Sequence, residues 1–107
     1  MTRSFAHPAA RDMTLDALLH ALSDPERRKI VGNLLKNDGM RCNKACSDLP
    51  PSTISFHYKV LRDAGLIHSE KKGIEVINTL RYAEVEKRFP GLLAAVLNHH
   101  KPTTKRK

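Results

Sequence analysis

The sequence predicts a mainly α-helical domain with one small β-hairpin, and three stretches of the chain support that prediction. Residues 50–66 place apolar side chains at helical spacing between a proline-containing start and Gly65. Residues 43–49 precede this helix across a tight turn and can form a short helix themselves. Two strand-like runs then meet at Lys71, Lys72 and Gly73. Helix, turn, helix and hairpin in this order are typical of a winged helix-turn-helix.

Length and charge limit the classes of protein to which the chain can belong. Its 107 residues suit one domain, and its 40% of hydrophobic residues allow only a small core. The net charge of +8 favours a polyanionic partner, with nucleic acid ahead of an acidic membrane surface. Because no apolar run reaches the roughly 18 residues of a membrane span, and no signal-peptide core is present, we expect a cytoplasmic protein that does not contact membranes.

The chain is expected to start with a loose arm over residues 1–11, ahead of a single domain over residues 12–100. Asp12 or Thr14 can cap the first helix of that domain. The apolar face of this helix comprises Leu15, Leu18, Leu19 and Leu22. In so small a domain, the same helix of a second subunit can cover that face.

A second helix is predicted to begin at residues 23–26, where an N-cap acceptor, a proline and an acid stand at favourable positions. It ends at residues 37–39, which tolerate left-handed backbone angles. Its inward side chains are Ile30, Val31, Leu34 and Leu35. A basic cluster of Arg27, Arg28 and Lys29 is interpreted first as a solvated face, with contact to the DNA backbone as the lesser alternative.

Residues 40–49 are predicted to form the first helix of the helix-turn-helix, and they contain Cys42 and Cys46. A separation of four residues puts both thiols on one helix face, where a soft metalloid or an oxidant can reach them. A disulfide within one helix is geometrically poor. The favoured interpretation is that both are small buried side chains, with thiol sensing as the alternative.

The helix over residues 50–66 has an inner and an outer face. Ile54, Tyr58, Leu61 and Ala64 point to the core. The candidate DNA-binding residues on the outer face and its flank are Ser52, Thr53, Ser55, Phe56, Lys59 and Arg62. Short hydroxyls suit base edges in a major groove and cations suit phosphates, whereas an ordinary solvated helix is the alternative.

Two aromatic side chains of this helix need separate interpretations. Phe56 is an exposed ring that can contact a thymine methyl group, or alternatively another protein. His57 lies toward the core flank by the helical count, so we expect a packed histidine that hydrogen-bonds nearby backbone rather than one that reads bases.

The hairpin is predicted over residues 67–71 and 74–80, with Lys72 and Gly73 in the turn. Lys71 and Lys72 at its tip are candidate contacts to phosphates rather than to bases, because lysine is a point charge and the minor-groove code is degenerate. A solvated hairpin tip is the alternative.

The C-terminal part is predicted to be a helix from residue 82 that residues 89–91 interrupt. The restarted helix has an apolar side made of Leu92, Leu93, Val96 and Leu97. This side can pair with Leu15, Leu18 and Leu22, within a subunit and across a dimer. Residues 101–107 form a basic tail that we expect to be disordered.

The chain resembles the ArsR-type transcriptional repressors of bacteria and archaea. The matching pieces are ALSDPERRKIVGNLL at residues 21–35, STISFHYKVLRDAGLI at residues 52–67, and the Lys/Gly hairpin with the helix after it. The similarity extends over residues 14–98. It implies a homodimer built through the first and last helices, and the candidate dimerisation residues are Leu15, Leu18, Leu22, Leu92, Leu93 and Val96.

The resemblance gives no inducer. Many arsenic- and metal-sensing relatives carry Cys-x-Cys or a similar thiol run at about this helix, whereas this chain has Cys-x-x-x-Cys and no third thiol. Zinc-sensing relatives use Asp and His near the start of the last helix and His and Glu near its end. Here Tyr82, Ala83 and Glu84 stand at the start and only His99 and His100 at the end. We therefore predict neither a metal nor another cofactor, and the inducer stays unknown.

The sequence contains no phosphate-binding loop, no HExxH motif of metal-dependent hydrolases and no nucleophile elbow. We therefore do not expect this protein to be an enzyme. The leading hypothesis is a homodimeric repressor that binds double-stranded DNA at an inverted repeat. A repressor that senses metalloids or oxidants through Cys42 and Cys46 is the second hypothesis. A winged helix that binds another protein is the third. The operator and the regulated genes do not follow from the sequence, and neither does repression as opposed to activation.

Overall fold

The computed structural model describes residues 5–36, 40–41 and 49–100, with the side chains of 40 and 41 excepted. A short 3-10 turn (Ala10–Asp12) precedes the first α-helix. The helices of the described residues are α1 (Leu15–Ala21), α2 (Pro25–Lys36), α3 (Pro51–Ala64), α4 (Tyr82–Arg88) and α5 (Leu92–Asn98). The strands are β1 (Met40–Arg41), β2 (Ile67–Lys72) and β3 (Glu75–Leu80). The predicted class, mainly α with one hairpin, is confirmed.

Local sequence signals set the ends of the first three helices. The Thr14 hydroxyl oxygen accepts a hydrogen bond from the Ala17 amide at 3.1 Å and so caps α1. Asp24 caps α2, because its carboxylate accepts from the Glu26 amide at 2.7 Å. Helix α3 begins with proline in its first turn and ends at Gly65, which has φ 95°. The predicted start of α2 and both predicted ends of α3 are therefore confirmed.

The hairpin belongs to a three-stranded antiparallel sheet with the order β1-β3-β2. Ile67 pairs with Leu80, and Lys72 pairs with Glu75 at the far end. The prediction of one helix over residues 40–49 is wrong at its start, because Met40 and Arg41 pair with β3 as a strand. A strand with an open edge offers these residues hydrogen-bond partners that a local helix pattern does not reveal. Residues 42–48, and with them most of this predicted helix, lie outside the described part.

The core joins the inner faces of the helices to the base of the hairpin. The four residues predicted for the inner face of α3 are all buried, and Leu61 is fully so. They pack with side chains of α1, α2, β2, α4 and α5, among them Leu18, Leu34, Ile67, Val85 and Leu93. Helix α3 is therefore held from several sides, with its opposite face left to solvent.

The segment before α1 is docked where the sequence predicts a loose arm. The Arg81 guanidinium donates to the Pro8 carbonyl at 2.9 Å. The Ser69 amide donates to Nε2 of His7 at 2.9 Å, and the rings of His7 and His68 stack at 4.4 Å. His7 thus lies against the outer edge of β2, which lacks a neighbouring strand on that side in the described sheet.

The C-terminal region contains two separate helices. Helix α4 ends at Arg88, and α5 begins at Leu92 after Gly91, which has φ 83°. The interruption predicted at residues 89–91 is therefore a full break. Among the described residues, the structure has no helix with the length and apolarity that crossing a membrane requires.

Candidate nucleic-acid interface

The outer face of α3 is open to solvent along its length. Ser52, Ser55, Phe56 and Lys59 are exposed, and Phe56 retains 57% of its accessible surface. Thr53 is half-buried. A helix that buries one side and presents hydroxyls, an aromatic ring and a cation on the other has the shape and chemistry of a major-groove reader.

One cation on this face is already paired. The Lys59 ammonium lies 2.8 Å from a carboxylate oxygen of Asp63, and both side chains are more than half exposed. Exposed pairs of this kind are weak and are screened by salt, so a phosphate can compete for the lysine.

Arg62 differs from the other candidates because its guanidinium contacts two other parts of the protein, strand β2 and the N-terminal segment. Its Nη1 donates to the Ser69 hydroxyl at 3.3 Å, and the guanidinium carbon lies 4.4 Å from the centre of the Phe5 ring. Arg62 therefore links α3 to β2 and to the N-terminal segment. Its role as a DNA contact stays a prediction, and any such contact must share the side chain with these partners.

A buried polar pair under the hairpin was not predicted from the sequence. The Ser69 hydroxyl donates to Oδ1 of Asn78 at 2.6 Å, and Asn78 is fully buried. Within the described residues, the Nδ2 atom of Asn78 has no hydrogen-bond partner. A period-two pattern in β2 marks position 69 as inward, but only the register of the hairpin puts Asn78 opposite it.

The hairpin tip carries the two predicted lysines and one apolar side chain. Lys71 and Lys72 are exposed, and Lys72 lies 3.9 Å from a Glu70 carboxylate oxygen. Strand β2 extends through Lys72, so the turn lies at Gly73 and Ile74 instead of at Lys72 and Gly73. Ile74 is 97% exposed.

The basic cluster of α2 is only partly the solvated face that the sequence predicts. Arg27 is buried, with 6% of its surface accessible, so it can contact neither bulk solvent nor a DNA phosphate directly. Arg28 is half-buried and donates to the Leu22 carbonyl at 2.8 Å and to Nδ1 of His100 at 3.0 Å. Of the three, Lys29 alone is exposed.

His57 is buried as predicted, but its partner is a side chain instead of backbone. Nη1 of Arg27 lies 3.1 Å from Nδ1 of His57, and His57 retains 6% of its surface. The helical count places both residues on the inner faces of their helices. Arg27 stands three residues before the buried Ile30, and His57 stands four residues before the buried Leu61. Their pairing depends on how α2 crosses α3, which no local pattern of the sequence specifies.

Burial and neighbouring cations affect the N-terminal histidine of the docked segment. Desolvation, followed by the charges of His68, Arg81 and Arg62, lowers the pKa of His7. Each cause disfavours the imidazolium, and the neutral ring is the form that can accept the Ser69 amide proton. The hydrogen bond from the Ser69 amide and the lowered pKa of His7 therefore both favour the neutral imidazole.

The six predicted dimerisation residues divide into two groups. Leu18, Leu22 and Leu93 are buried inside the subunit and belong to its own core. Leu15 remains 46% exposed, while Leu92 and Val96 are half-buried. Two neighbours, Leu19 at 46% exposed and the half-buried Leu97, were assigned to the apolar faces but not to the dimer contact.

The cysteine hypothesis concerns positions that the structure does not describe, because Cys42 and Cys46 both lie in the gap between residues 41 and 49. Within the described ranges, no three histidine, aspartate or glutamate side chains come together as a metal-binding group.

The hairpin after α3 and the exposed outer face of α3 define a winged helix-turn-helix protein. Residues 22–70 match the family model of a helix-turn-helix domain. The fold is similar to the crystal structure of an ArsR family transcriptional regulator, with a TM-score of 0.65 and 22% sequence identity over 76% of this chain and 90% of that one. No curated protein matches the sequence. Together, the two matches support a helix-turn-helix domain with a winged fold.

Proposed function

We propose that this chain is a homodimeric, sequence-specific DNA-binding repressor of the ArsR type. The observation that carries the proposal is the outer face of α3, where Ser52, Ser55, Phe56 and Lys59 are exposed together on a helix whose other side is anchored in the core. The net charge of +8 supplies the attraction to a polyanion that such a face needs.

Within this proposal, the residues of α3 divide by chemistry. The hydroxyls of Ser52, Thr53 and Ser55 reach base edges, and Phe56 meets thymine methyl groups. Lys59 contacts phosphates, which fix the register of the protein on the duplex without reading its sequence. Lys71 and Lys72 extend the phosphate contacts to the hairpin tip. The exposure of all these side chains except Thr53 supports this division.

A second copy of the chain is the proposed cover for the apolar side chains of α1 and α5. Leu15, Leu19, Leu92, Val96 and Leu97 keep accessible surface at opposite ends of the sequence. Burying them stabilises a pair of subunits at about 25 cal/mol per Å² of apolar surface. Two α3 helices related by a two-fold axis then read half-sites about 34–36 Å apart, which makes the operator an inverted repeat.

Repression follows when the operator overlaps a promoter. The cytoplasmic location stays a prediction, and the proposal includes no inducer. No described residue favours thiol sensing through Cys42 and Cys46.

The direct test is to select duplexes from a random library with the purified protein. Binding of the recovered sequence and of a scrambled duplex is then compared by fluorescence anisotropy at two salt concentrations. We expect an inverted repeat that binds at least about a thousandfold more tightly than the scrambled duplex. Equal binding to both duplexes, lost as salt rises, would show only a charge effect and would favour the protein-binding alternative.

Oligomeric state is tested separately by sedimentation of the protein and its Leu19→Glu variant. A charge in a buried subunit contact is costly, so the variant is expected to be monomeric where the parent protein is a dimer. The control Leu35→Glu changes an equally exposed leucine on α2 and is expected to stay dimeric. A monomeric parent protein at micromolar concentration would reject the dimer.

A further inference from the structure

We infer that Arg27 is a positioning residue, which fixes the rotation of α3 about its own axis through His57 and thereby sets which base edges the outer face meets. The inference rests on the proposed DNA binding by α3. Neither residue is itself a proposed DNA contact, since both are buried.

Arg27 joins three helices through a single side chain. Its Nε donates to the Ala21 carbonyl at 2.7 Å and its Nη2 to the His20 carbonyl at 3.4 Å, both at the end of α1. Its Nη1 lies 3.1 Å from Nδ1 of His57 in the middle of α3. Carbonyls at a helix end carry partial negative charge and stabilise a buried guanidinium. The Ala21 carbonyl is the shorter of the two contacts, and the His20 carbonyl also accepts from the Ser23 hydroxyl at 2.6 Å.

The chemistry of the contact to α3 fixes its direction. A guanidinium has five N–H donors and no acceptor, so Nδ1 of His57 must be the acceptor and the ring proton must stand on Nε2. The bond is therefore angular and specific, and it holds the imidazole ring in one orientation. Because the ring is attached to α3, its orientation limits how the helix can turn.

Apolar packing alone does not supply that limit. Ile54, Tyr58 and Leu61 bury the inner face of α3, but hydrophobic contacts are non-directional and tolerate a small rotation. At the helix radius of about 5 Å, a rotation of about 20° moves a side-chain tip by about 2 Å. Base recognition does not survive that error, because functional groups need placement within about 0.5 Å or 10–20°.

His57 is also next to the residues that the proposal assigns to base reading. Its ring centre lies 6.0 Å from that of Phe56, with the two planes tilted by 55°. Ser55 precedes this pair on the same turn. A change in the position of His57 is therefore expected to move the central part of the reading face more than its ends.

The test compares sequence preference in variants that keep or remove the contact. Preference is the ratio of dissociation constants for the scrambled duplex and for the duplex selected by the parent protein, corrected for the active fraction by stoichiometric titration. Arg27→Gln removes the guanidinium. Two variants at His57 have side chains of nearly the same size: His57→Asn keeps an acceptor at the place of Nδ1, and His57→Leu has none.

We expect Arg27→Gln and His57→Leu to lower the preference at least about tenfold, a loss of the size that one good base contact provides. The affinity for the scrambled duplex and its salt dependence should not change, since no phosphate contact is removed. His57→Asn should retain more of the preference than His57→Leu. The control Ile30→Val removes one buried methyl group from α2, the helix of Arg27, without changing a polar group. It should keep the preference of the parent protein.

A purely stabilising role gives a different result. If Arg27→Gln and His57→Leu lower the melting temperature but keep the preference once the active fraction is corrected, the inference is overturned. If Arg27→Gln does not fold, the inference is tested by comparing the preference of His57→Asn with that of His57→Leu. Equal preferences in these two variants would reject the inference. A parent protein without preference for any duplex overturns the proposed function, and the inference with it.

Discussion

Lys59 and Asp63 form an ion pair one turn apart on the exposed side of α3, with 2.8 Å between the ammonium and a carboxylate oxygen. The pair places a negative charge on the surface that we propose to face DNA. Its carboxylate both occupies the lysine and repels phosphates. Under the proposed binding mode, the pair is expected to reduce the affinity for DNA in general without any contribution to base recognition.

Asp63→Asn should raise the affinity for selected and scrambled duplexes alike by about two- to fivefold, the range that an exposed ion pair represents. The salt dependence should become steeper, because the freed Lys59 neutralises a phosphate. Anisotropy titrations at two salt concentrations measure both effects. Asp12→Asn removes an exposed carboxylate outside α3 and serves as the control. An equal gain in that variant would mean that net charge alone is responsible.

Mutations on the outer face of α3 and at the hairpin tip should distinguish residues that contact bases from residues that contact phosphates. Ser55→Ala and Phe56→Ala are expected to change which bases are preferred, at a cost of about 1–3 kcal/mol for each lost base contact. Lys59→Ala and Lys72→Ala should weaken binding to every duplex similarly and flatten the salt slope. Repeating the duplex selection with each variant measures preference directly. If Ser55→Ala and Phe56→Ala leave affinity and preference unchanged, another face binds DNA.

Protonation of His7 at low pH should weaken the docking of the N-terminal segment, because the protonated ring cannot accept the hydrogen bond from the Ser69 amide. Burial and three nearby cations lower the pKa of His7 from 6.5 in the folded state, so the neutral ring is favoured by folding. The resulting stability is fully present above pH 6.5 and is lost as the pH falls through the lowered pKa. Urea unfolding of the parent protein and of His7→Leu should therefore give a stability difference that narrows between about pH 8 and about pH 5.

His68→Leu is the matched control for this effect. It removes the stacked ring but keeps the hydrogen bond from the Ser69 amide to His7, and burial is the largest cause of the lowered pKa. The pH dependence should persist in that variant. A stability difference between the parent protein and His7→Leu that is constant over the same pH range would contradict the role of His7.

Gly65 is required for two reasons that substitution can separate. Its φ of 95° is costly for other residues, and a Cβ atom there would lie 2.8 Å from Cγ of Met13. Gly65→Ala should lower the free energy of unfolding by about 2–4 kcal/mol, the sum of backbone strain and overpacking. Gly73→Ala, at φ 63° with open space around it, should cost only the backbone part of about 1–2 kcal/mol. Equal losses in both variants would exclude the Met13 contact.

The buried pair of Ser69 and Asn78 should behave as a linked unit. Ser69→Ala removes the hydroxyl from Oδ1 of the fully buried Asn78 and should cost about 1–3 kcal/mol in chemical unfolding. Replacing both partners by apolar residues, Ser69→Ala with Asn78→Leu, should cost less than the two single losses added together. Additive losses would mean that the hydrogen bond is energetically unimportant.

The sequence by itself determined the elements whose signals are local. Asp24, Pro25 and Gly65 mark helix ends through their own backbone and side-chain chemistry, and they do so in the structure. The apolar spacing within α3 predicts its buried face correctly, because every fourth or third residue shares a side of any regular helix. The hairpin also follows from local alternation and a turn glycine.

Tertiary structure decided the features that need partners distant in sequence. Met40 and Arg41 form a strand only because the edge of β3 is available to them. His7 docks because the outer edge of β2 leaves the Ser69 amide free to donate. Arg27 is buried, despite its place in a run of cations, because the end of α1 and His57 together satisfy its guanidinium. A desolvated polar group is stable only where all its partners converge, and that convergence is a property of the assembled fold.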